Sequence, residues 1–193
     1  MEQKKPLKTF TLYNDGSQHC IIYNENGNPK QETTFVGDKL HGVFKHFYDN
    51  GQVQRIAHYT DNKLNGIVTL YKENGELFNK AEYKDDKLNG KLIIFENNKI
   101  IKIAEYKDYQ LDGQITTFYS YDDNKIKLIE SYKDGKLNGK STAYYENGNI
   151  MTELNFIDDK KDGEQTIRDE AGKLKETFIY KHGVFISKKS YHK

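Results

Sequence analysis

A marker of the form Leu-x-Gly returns along this chain at a nearly constant interval, and it restricts the fold more than any other feature. It stands at Leu40-His41-Gly42, Leu64-Asn65-Gly66, Leu88-Asn89-Gly90, Leu111-Asp112-Gly113 and Leu137-Asn138-Gly139. Lys161-Asp162-Gly163 continues it without the leucine. The glycine-to-glycine steps are 24, 24, 23, 26 and 24 residues. A second marker follows most of these glycines nine residues later, as Asn50-Gly51, Asn74-Gly75, Asn147-Gly148 and Ala171-Gly172. Asn26-Gly27 extends the series backwards, with Gln18 in the first glycine slot. Asn97-Asn98 stands in its place in a unit one residue short, and Asp123-Asn124 in a unit two residues long. A period of this size marks stacked supersecondary units, each too small to bury a core alone. Seven units span residues 18–182. A partial repeat follows over 183–193, and residues 1–17 form an N-terminal extension or a first strand.

Each unit reads as two short strands. Val43 to Tyr48, the turn Asp49-Asn50-Gly51 and Gln52 to Tyr59 is the clearest example, because Asn-Gly between such runs signals a hairpin. Turn residues recur too often for a stable helix. The link Thr60-Asp61-Asn62-Lys63-Leu64-Asn65 is polar and turn-like. The expected fold is therefore all-β, a single-layer antiparallel meander of repeated hairpins with about 14 strands, elongated or curled. At the usual spacing between strands it would run about 65 Å.

Two turn geometries compete. A two-residue turn pairs Asp49 with Gln52, whereas a three-residue loop with a left-handed glycine pairs Tyr48 with Gln52. The side-chain columns favour the second. Phe47, Tyr71, Phe118 and Tyr144 stand five residues after each glycine. Val53, Leu77 and Ile150 stand two residues after each Asn-Gly. Tyr59, Tyr83, Tyr132, Phe156 and Tyr180 close the second strands, with Ala57, Ala81 and Ala104 just before that position. The three-residue loop is expected to gather all of these on one face as the core. An aromatic side chain buries roughly 150–250 Å².

The run Leu64 to Lys87, and again Leu137 to Lys160, follows the pattern Leu-Asn-Gly-x-x-x-x-Tyr-x-x-Asn-Gly-x-Leu/Ile with a later Tyr-Lys-Asp-x-Lys element. This pattern resembles the MORN repeat in its bacterial variant form, over nearly the whole chain from about Ile21 to Gly183. The chain departs from it in having no Trp, a degenerate first unit and irregular fourth and fifth units. The resemblance implies a MORN-like hairpin repeat and a binding role. Similar repeats occur in antitoxins of bacterial toxin–antitoxin pairs, and eukaryotic MORN proteins are associated with membranes, phospholipids and scaffolding.

No constellation for catalysis stands out, and no enzyme activity, cofactor or metal site is expected. His46 and His58 flank one hairpin and could share a face, but a metal would want a third ligand. Cys20 and His19 are strand neighbours and point to opposite faces, so they make no dyad. As the lone cysteine, Cys20 forms no internal disulfide and reads as a small apolar filler. Asp85-Asp86, Asp122-Asp123 and Asp158-Asp159 read as turn residues rather than calcium ligands.

The charges, 30 basic against 29 acidic, leave a net of +1, and only Arg55 and Arg168 are arginines. Neither fact favours direct binding to nucleic acid. The local basic patch, Lys188-Lys189 with Lys193, is too small to argue for a membrane surface. No apolar run spans a bilayer, and Lys4, Lys5 and Lys8 have no apolar core behind them, so no secretory signal is seen and a cytoplasmic location is expected.

The face opposite the aromatic columns is expected to stay apolar in the middle units and to turn polar towards Ser141, Glu153, Gln165 and Lys175. Candidate partner-binding residues there are Phe44, Ile56, Leu70, Phe78, Ile94, Ile101 and Ile103. Tyr119 and Tyr121 join them on the inserted hairpin tip. The expected function is non-catalytic protein binding, of the antitoxin or immunity type, which neutralises a bacterial effector stoichiometrically. The alternatives are an anti-CRISPR-like inhibitor of a host defence nuclease carried by a phage or mobile element, and a membrane-surface or scaffolding protein.

Overall fold

The structure is a computed structural model that describes residues 7–191, with the backbone alone at Asp123. Lys4, Lys5, His192 and Lys193 lie outside the described residues. The chain divides into two compact units, 1–90 and 91–193. The first contains β1 (Lys8–Leu12), β2 (Ser17–Tyr23), β3 (Pro29–Val36), β4 (Lys39–Phe47), β5 (Val53–Thr60), β6 (Lys63–Leu64), β7 (Gly66–Tyr71) and β8 (Leu77–Lys84). The strand β9 (Lys87–Glu96) runs past the division. The second holds β10 (Lys99–Lys107), β11 (Gln110–Tyr119), β12 (Asp122–Lys133), β13 (Lys136–Tyr144), β14 (Ile150–Ile157), β15 (Lys160–Lys161), β16 (Gly163–Arg168), β17 (Leu174–Lys181) and β18 (Val184–Ser190). Among the described residues there is no helix, and the described strand pairs are antiparallel between chain neighbours.

The expected hairpin meander is present, with 18 strands rather than about 14. The excess has a simple origin. Two extra strands flank the seven hairpins, β1 before them and β18 after them. The two-residue strands β6 and β15 are cut from β7 and β16 by Asn65 and Asp162. At these breaks the N–H of Asn65 donates to the His58 carbonyl and that of Asp162 to the Asn155 carbonyl, each over 2.9 Å.

Hairpin tips follow the three-residue geometry. The N–H of Tyr48 donates to the Gln52 carbonyl over 2.8 Å, and that of Gly51 to the Tyr48 carbonyl over 2.9 Å. Gly51 has φ +84°, a left-handed conformation that glycine adopts without steric penalty. Asn24 with Asn28, Lys72 with Glu76 and Tyr145 with Asn149 repeat this pairing. Two tips differ, in the irregular units. Asn97 and Asn98 form a two-residue turn at φ 50° and 61°. The fifth hairpin extends until Tyr119 pairs with Asp122, so its turn lies at Ser120-Tyr121 rather than at Asp123-Asn124.

The links between repeats are themselves tight hairpins. Asp61-Asn62, Asp85-Asp86 and Asp158-Asp159 each have both residues at positive φ, the backbone of I′ turns, which match the strand twist. The second residue of each also reaches back one repeat. Asp159 Oδ1 accepts the N–H of Leu137 over 2.8 Å, while the Asp159 N–H donates to the Leu137 carbonyl over 2.9 Å. Asn62 makes the same reciprocal pair with Leu40, and Asp86 with Leu64. Asp85-Asp86 and Asp158-Asp159 thus serve the turns, whereas Asp122-Asp123 begins β12.

The expected single-face core is corrected. Phe44 pairs with Ala57 and His46 with Arg55, but Phe47 pairs with Val53, so Gln54 is an extra residue. The same slip follows Ile22, Leu70, Ala143 and Ile167 in their hairpins. One extra residue shifts the alternation by one, so the two ends of the strand exchange faces. Ala57 and Tyr59 lie on one face, called here the alanine face, with Phe44, Val68, Leu70, Ala81 and Tyr83. Phe47, Val53, Tyr71 and Leu77 lie on the other, the tip face. Each face therefore has an aromatic column, near the links on the alanine face and near the tips on the tip face.

In the first unit the densest packing is on the alanine face, where Ala57 (0% exposed), Leu64 and Val68 are covered by Phe44, Tyr59, Leu70 and Tyr83. Phe44 meets Tyr59 edge-on at 5.9 Å, a favoured aromatic arrangement. In the second unit Ala104 and Ile115 form the equivalent row. Ser141 and Gln165 also lie on this face, while Glu153 pairs with Thr142 and Thr166 on the other. The expected polar columns are thereby split as well. Gln165 is 1% exposed. Its Oε1 accepts the Asn155 N–H over 2.8 Å, and its Nε2 donates to the Asn155 and Gly163 carbonyls over 3.2 Å.

Two substitutions test these contacts by urea or thermal unfolding. Asp159→Ala loses the acceptor for Leu137 and puts alanine at φ 65°, a loss of about 1–2 kcal/mol, whereas Asp159→Asn retains most of the stability. Gly66→Ala places a Cβ at φ +112° and 3.2 Å from His58 Cβ, and loses about 1–3 kcal/mol.

Candidate functional site

The hairpin tips of the second unit hold a concave surface. It begins with a recurring tyrosine. Tyr48, Tyr119 and Tyr145 each stand one residue beyond the tip-face aromatic, next to Phe47, Phe118 and Tyr144. Each hydroxyl crosses to the next repeat. Tyr48 donates to the Tyr71 carbonyl and Tyr119 to the Tyr144 carbonyl, both over 2.8 Å, and Tyr145 to the Arg168 carbonyl over 2.7 Å. Tip asparagines do likewise. Asn50 Nδ2 donates to the Glu73 carbonyl over 3.0 Å, and Asn147 Nδ2 to the Glu170 carbonyl over 2.7 Å. These bonds hold half-buried rings in place at the sheet margin and limit the freedom that a binding event would otherwise remove.

The long fifth hairpin adds a second ring. Tyr119 and Tyr121 lie with centroids 5.5 Å apart at 33°, and Lys99 Nζ donates to the Tyr121 carbonyl. Tyr119 separates two clefts. One, of about 400 Å³, is lined by Tyr119, Tyr145, Glu146, Asn147 and Glu170. The other, of about 270 Å³, has Ile101, Lys102, Phe118 and Lys127 in its lining, with Lys127 Nζ 5.8 Å from the Tyr119 centroid. Partial burial raises the Tyr119 phenol above its ordinary pKa, with the Glu146 charge as a second cause. Burial also raises Tyr121, followed by its hydrogen bond to Glu146.

The sequence candidates do not form one patch. Phe44 and Leu70 belong to the packed alanine face, whereas Ile56 and Ile103, paired with Lys45 and Thr116, lie on the tip face. Phe78 is the extra residue of its hairpin, 45% exposed, and Ile94 is half-buried in β9. Ile101, Tyr119 and Tyr121 are brought together, at the fifth tip. Tyr145, Glu146 and Glu170 were not singled out by the sequence reading. In the sequence the Tyr-Glu-Asn-Gly run reads as a turn, and the tyrosine that recurs at position 48 is the signal for its tip contact.

The other candidates keep structural roles. His46 and His58 fall on opposite faces, because His46 pairs with Arg55 and His58 with Val43. His46 Nδ1 lies 2.6 Å from Gln54 Oε1, and His58 Nδ1 lies 3.0 Å from the Ile67 carbonyl. Cys20 is buried between Phe10 and Thr33, and its neighbour His19 pairs with Thr34 on the opposite face. Among the described residues, no three His, Cys, Asp or Glu side chains are placed to hold a metal. No helix among them is long and apolar enough to cross a membrane.

Phe44→Ala should cost about 2–4 kcal/mol of unfolding free energy, and Phe78→Ala less than about 0.5 kcal/mol, a contrast that urea titration resolves. Alkaline titration tests the tip. A phenol whose pKa is raised by folding contributes stability below its unfolded value and loses it as pH rises through the folded one. Absorbance of the tyrosinate should therefore show a late-ionising class above about pH 10, with stability falling there. Glu146→Gln should bring Tyr121 back towards its ordinary value.

No curated protein matches this chain. The family model for the MORN repeat variant matches residues 19–36, 40–61, 64–85, 137–158 and 161–182, more than half of the chain. Each matched stretch covers one hairpin and ends at or beside the link turn that follows it. The interval between 85 and 137 contains the two hairpins with altered tips. Repeats of this kind generally mediate protein or membrane interactions. The chain belongs to the MORN repeat variant family.

Proposed function

We propose that this protein is a non-catalytic binder of another protein, and that it neutralises a bacterial effector stoichiometrically, in the manner of an antitoxin or immunity protein in the cytoplasm. The observation that carries the reading is the fifth and sixth hairpin tips, where Tyr119 and Tyr145 line a cleft with hydroxyls bound to the backbone and Tyr121 lies against Tyr119. Tyrosine supplies a large contact area at little conformational cost and is enriched at interface hot spots. The neighbouring tips of the second unit suit contact with a partner's surface, covering its active site or holding it in an inactive state.

The test is capture of a partner from a lysate of the native host at low and high salt, followed by assay of the captured protein. One dominant partner retained at high salt, and inactivated by an equimolar amount of this chain, is the expected result. Tyr121→Lys should weaken capture at least tenfold while leaving the unfolding midpoint unchanged. A partner that proves to be a defence nuclease would assign the protein to the anti-CRISPR-like alternative. Lipid recovered only at low salt, with no protein partner, would overturn the inhibitor reading in favour of a membrane-surface role.

A further inference from the structure

The two clefts beside Tyr119 differ in charge. The smaller already has cations of this chain, since Lys102 and Lys127 line it. The larger is lined by two tyrosines, an asparagine and two glutamates, with no cationic residue in its lining. The Glu146 charge is felt there, since it is a cause of the raised pKa of both Tyr119 and Tyr121.

The rings are held from behind. The Tyr119 and Tyr145 hydroxyls are bound to the backbone of the following repeats. The Glu170 carbonyl accepts from both Asn147 and Asn149, over 2.7 and 2.8 Å. Hydrogen-bonded aromatic rings and two glutamates lining one cleft suit a planar cation, which can stack on a ring while its N–H groups bind a carboxylate. Guanidinium meets both demands and is weakly hydrated, whereas an ammonium is a compact and strongly hydrated charge. Two carboxylates are too few for a calcium site, which takes six to eight oxygens.

We infer that the cleft formed by Tyr119, Tyr145, Glu146 and Glu170 is a receptor for an arginine side chain projecting from the protein partner. This rests on the protein-binding reading and adds the chemistry of the contact. The chain has only two arginines of its own, Arg55 and Arg168. The Arg168 guanidinium is directed to the Gly172 carbonyl over 3.3 Å.

The test titrates the intact chain with the peptide acetyl-Gly-Arg-Gly-amide and reads amide shifts by NMR. The matched control is the same peptide with citrulline, which has nearly the shape of arginine without its charge. Shifts should centre on residues 119, 145, 146 and 170, and citrulline should bind at least tenfold more weakly. Combined Glu146→Gln and Glu170→Gln should weaken the arginine peptide at least fivefold with an unchanged unfolding midpoint. Lys127→Ala, on the other side of Tyr119, should leave binding equal or tighter.

Equal affinity for the two peptides would overturn the inference, as would shifts centred on the acidic link turns or binding unchanged by the double variant. The same double variant separates this inference from the broader reading. If it still captures and inhibits the partner at full strength, the arginine receptor is wrong and the protein-binding reading stands. If no protein is captured by the unaltered chain, the broader reading falls instead.

Discussion

One extra residue after the regular hairpin tips governs the arrangement of this protein. Gln54 has no partner of its own between His46 and Phe47, and the slip recurs in at least four more hairpins. Strand side chains alternate with period two, so a single insertion exchanges the faces of everything beyond it. The aromatic that ends a first strand and the aromatic that ends the following second strand are thereby sent to opposite sides. Each face thereby carries an aromatic column of its own.

That division requires both ends of the hairpins to be secured, because one layer of sheet has no second layer to hold it. The link ends use backbone and side chain together, as when Asp159 both accepts from and donates to Leu137 one repeat earlier. The tip ends use tyrosine hydroxyls and asparagine amides, again reaching one repeat away. Each such bond adds only about 1 kcal/mol net, but the set recurs with the period. The result is stability built from neighbour terms, as expected for a repeat protein. Gln165 shows how far the pattern tolerates change. Where Val68 and Ile115 fill their rows with hydrocarbon, Gln165 is buried with its amide satisfied by the backbone.

The candidate site arises where the period is interrupted. Lengthening the fifth hairpin moves its turn to Ser120-Tyr121 and brings Tyr121 against Tyr119, beside the regular Tyr145 tip. The neighbouring repeats supply a rigid floor, and the irregular one supplies the wall that encloses the clefts. Regular repeats thus act as scaffold and the departure from regularity creates the concavity, a division of labour common in proteins whose loops carry function on a fixed frame.

The repeat length, the all-β class, the three-residue tips at Asn-Gly and the turn role of Asp85-Asp86 and Asp158-Asp159 were legible in the sequence, whereas Asp122-Asp123, also read as a turn, begins the strand β12. These depend on local backbone preferences, such as left-handed glycine and Asx residues at positive φ, which a single strand-turn-strand segment expresses without its neighbours. The faces were not legible. Phe44 and Ile56 looked like members of one apolar patch and lie on opposite sides, because the bulge that separates them is an event of pairing between strands and leaves no fixed residue signature: the extra position holds Gln54 in one repeat and Phe78 in another. The cleft of Tyr119, Tyr145, Glu146 and Glu170 likewise gathers residues from three successive repeats. Its existence was decided by the register in which those repeats stack, a property of the folded sheet and not of any one segment.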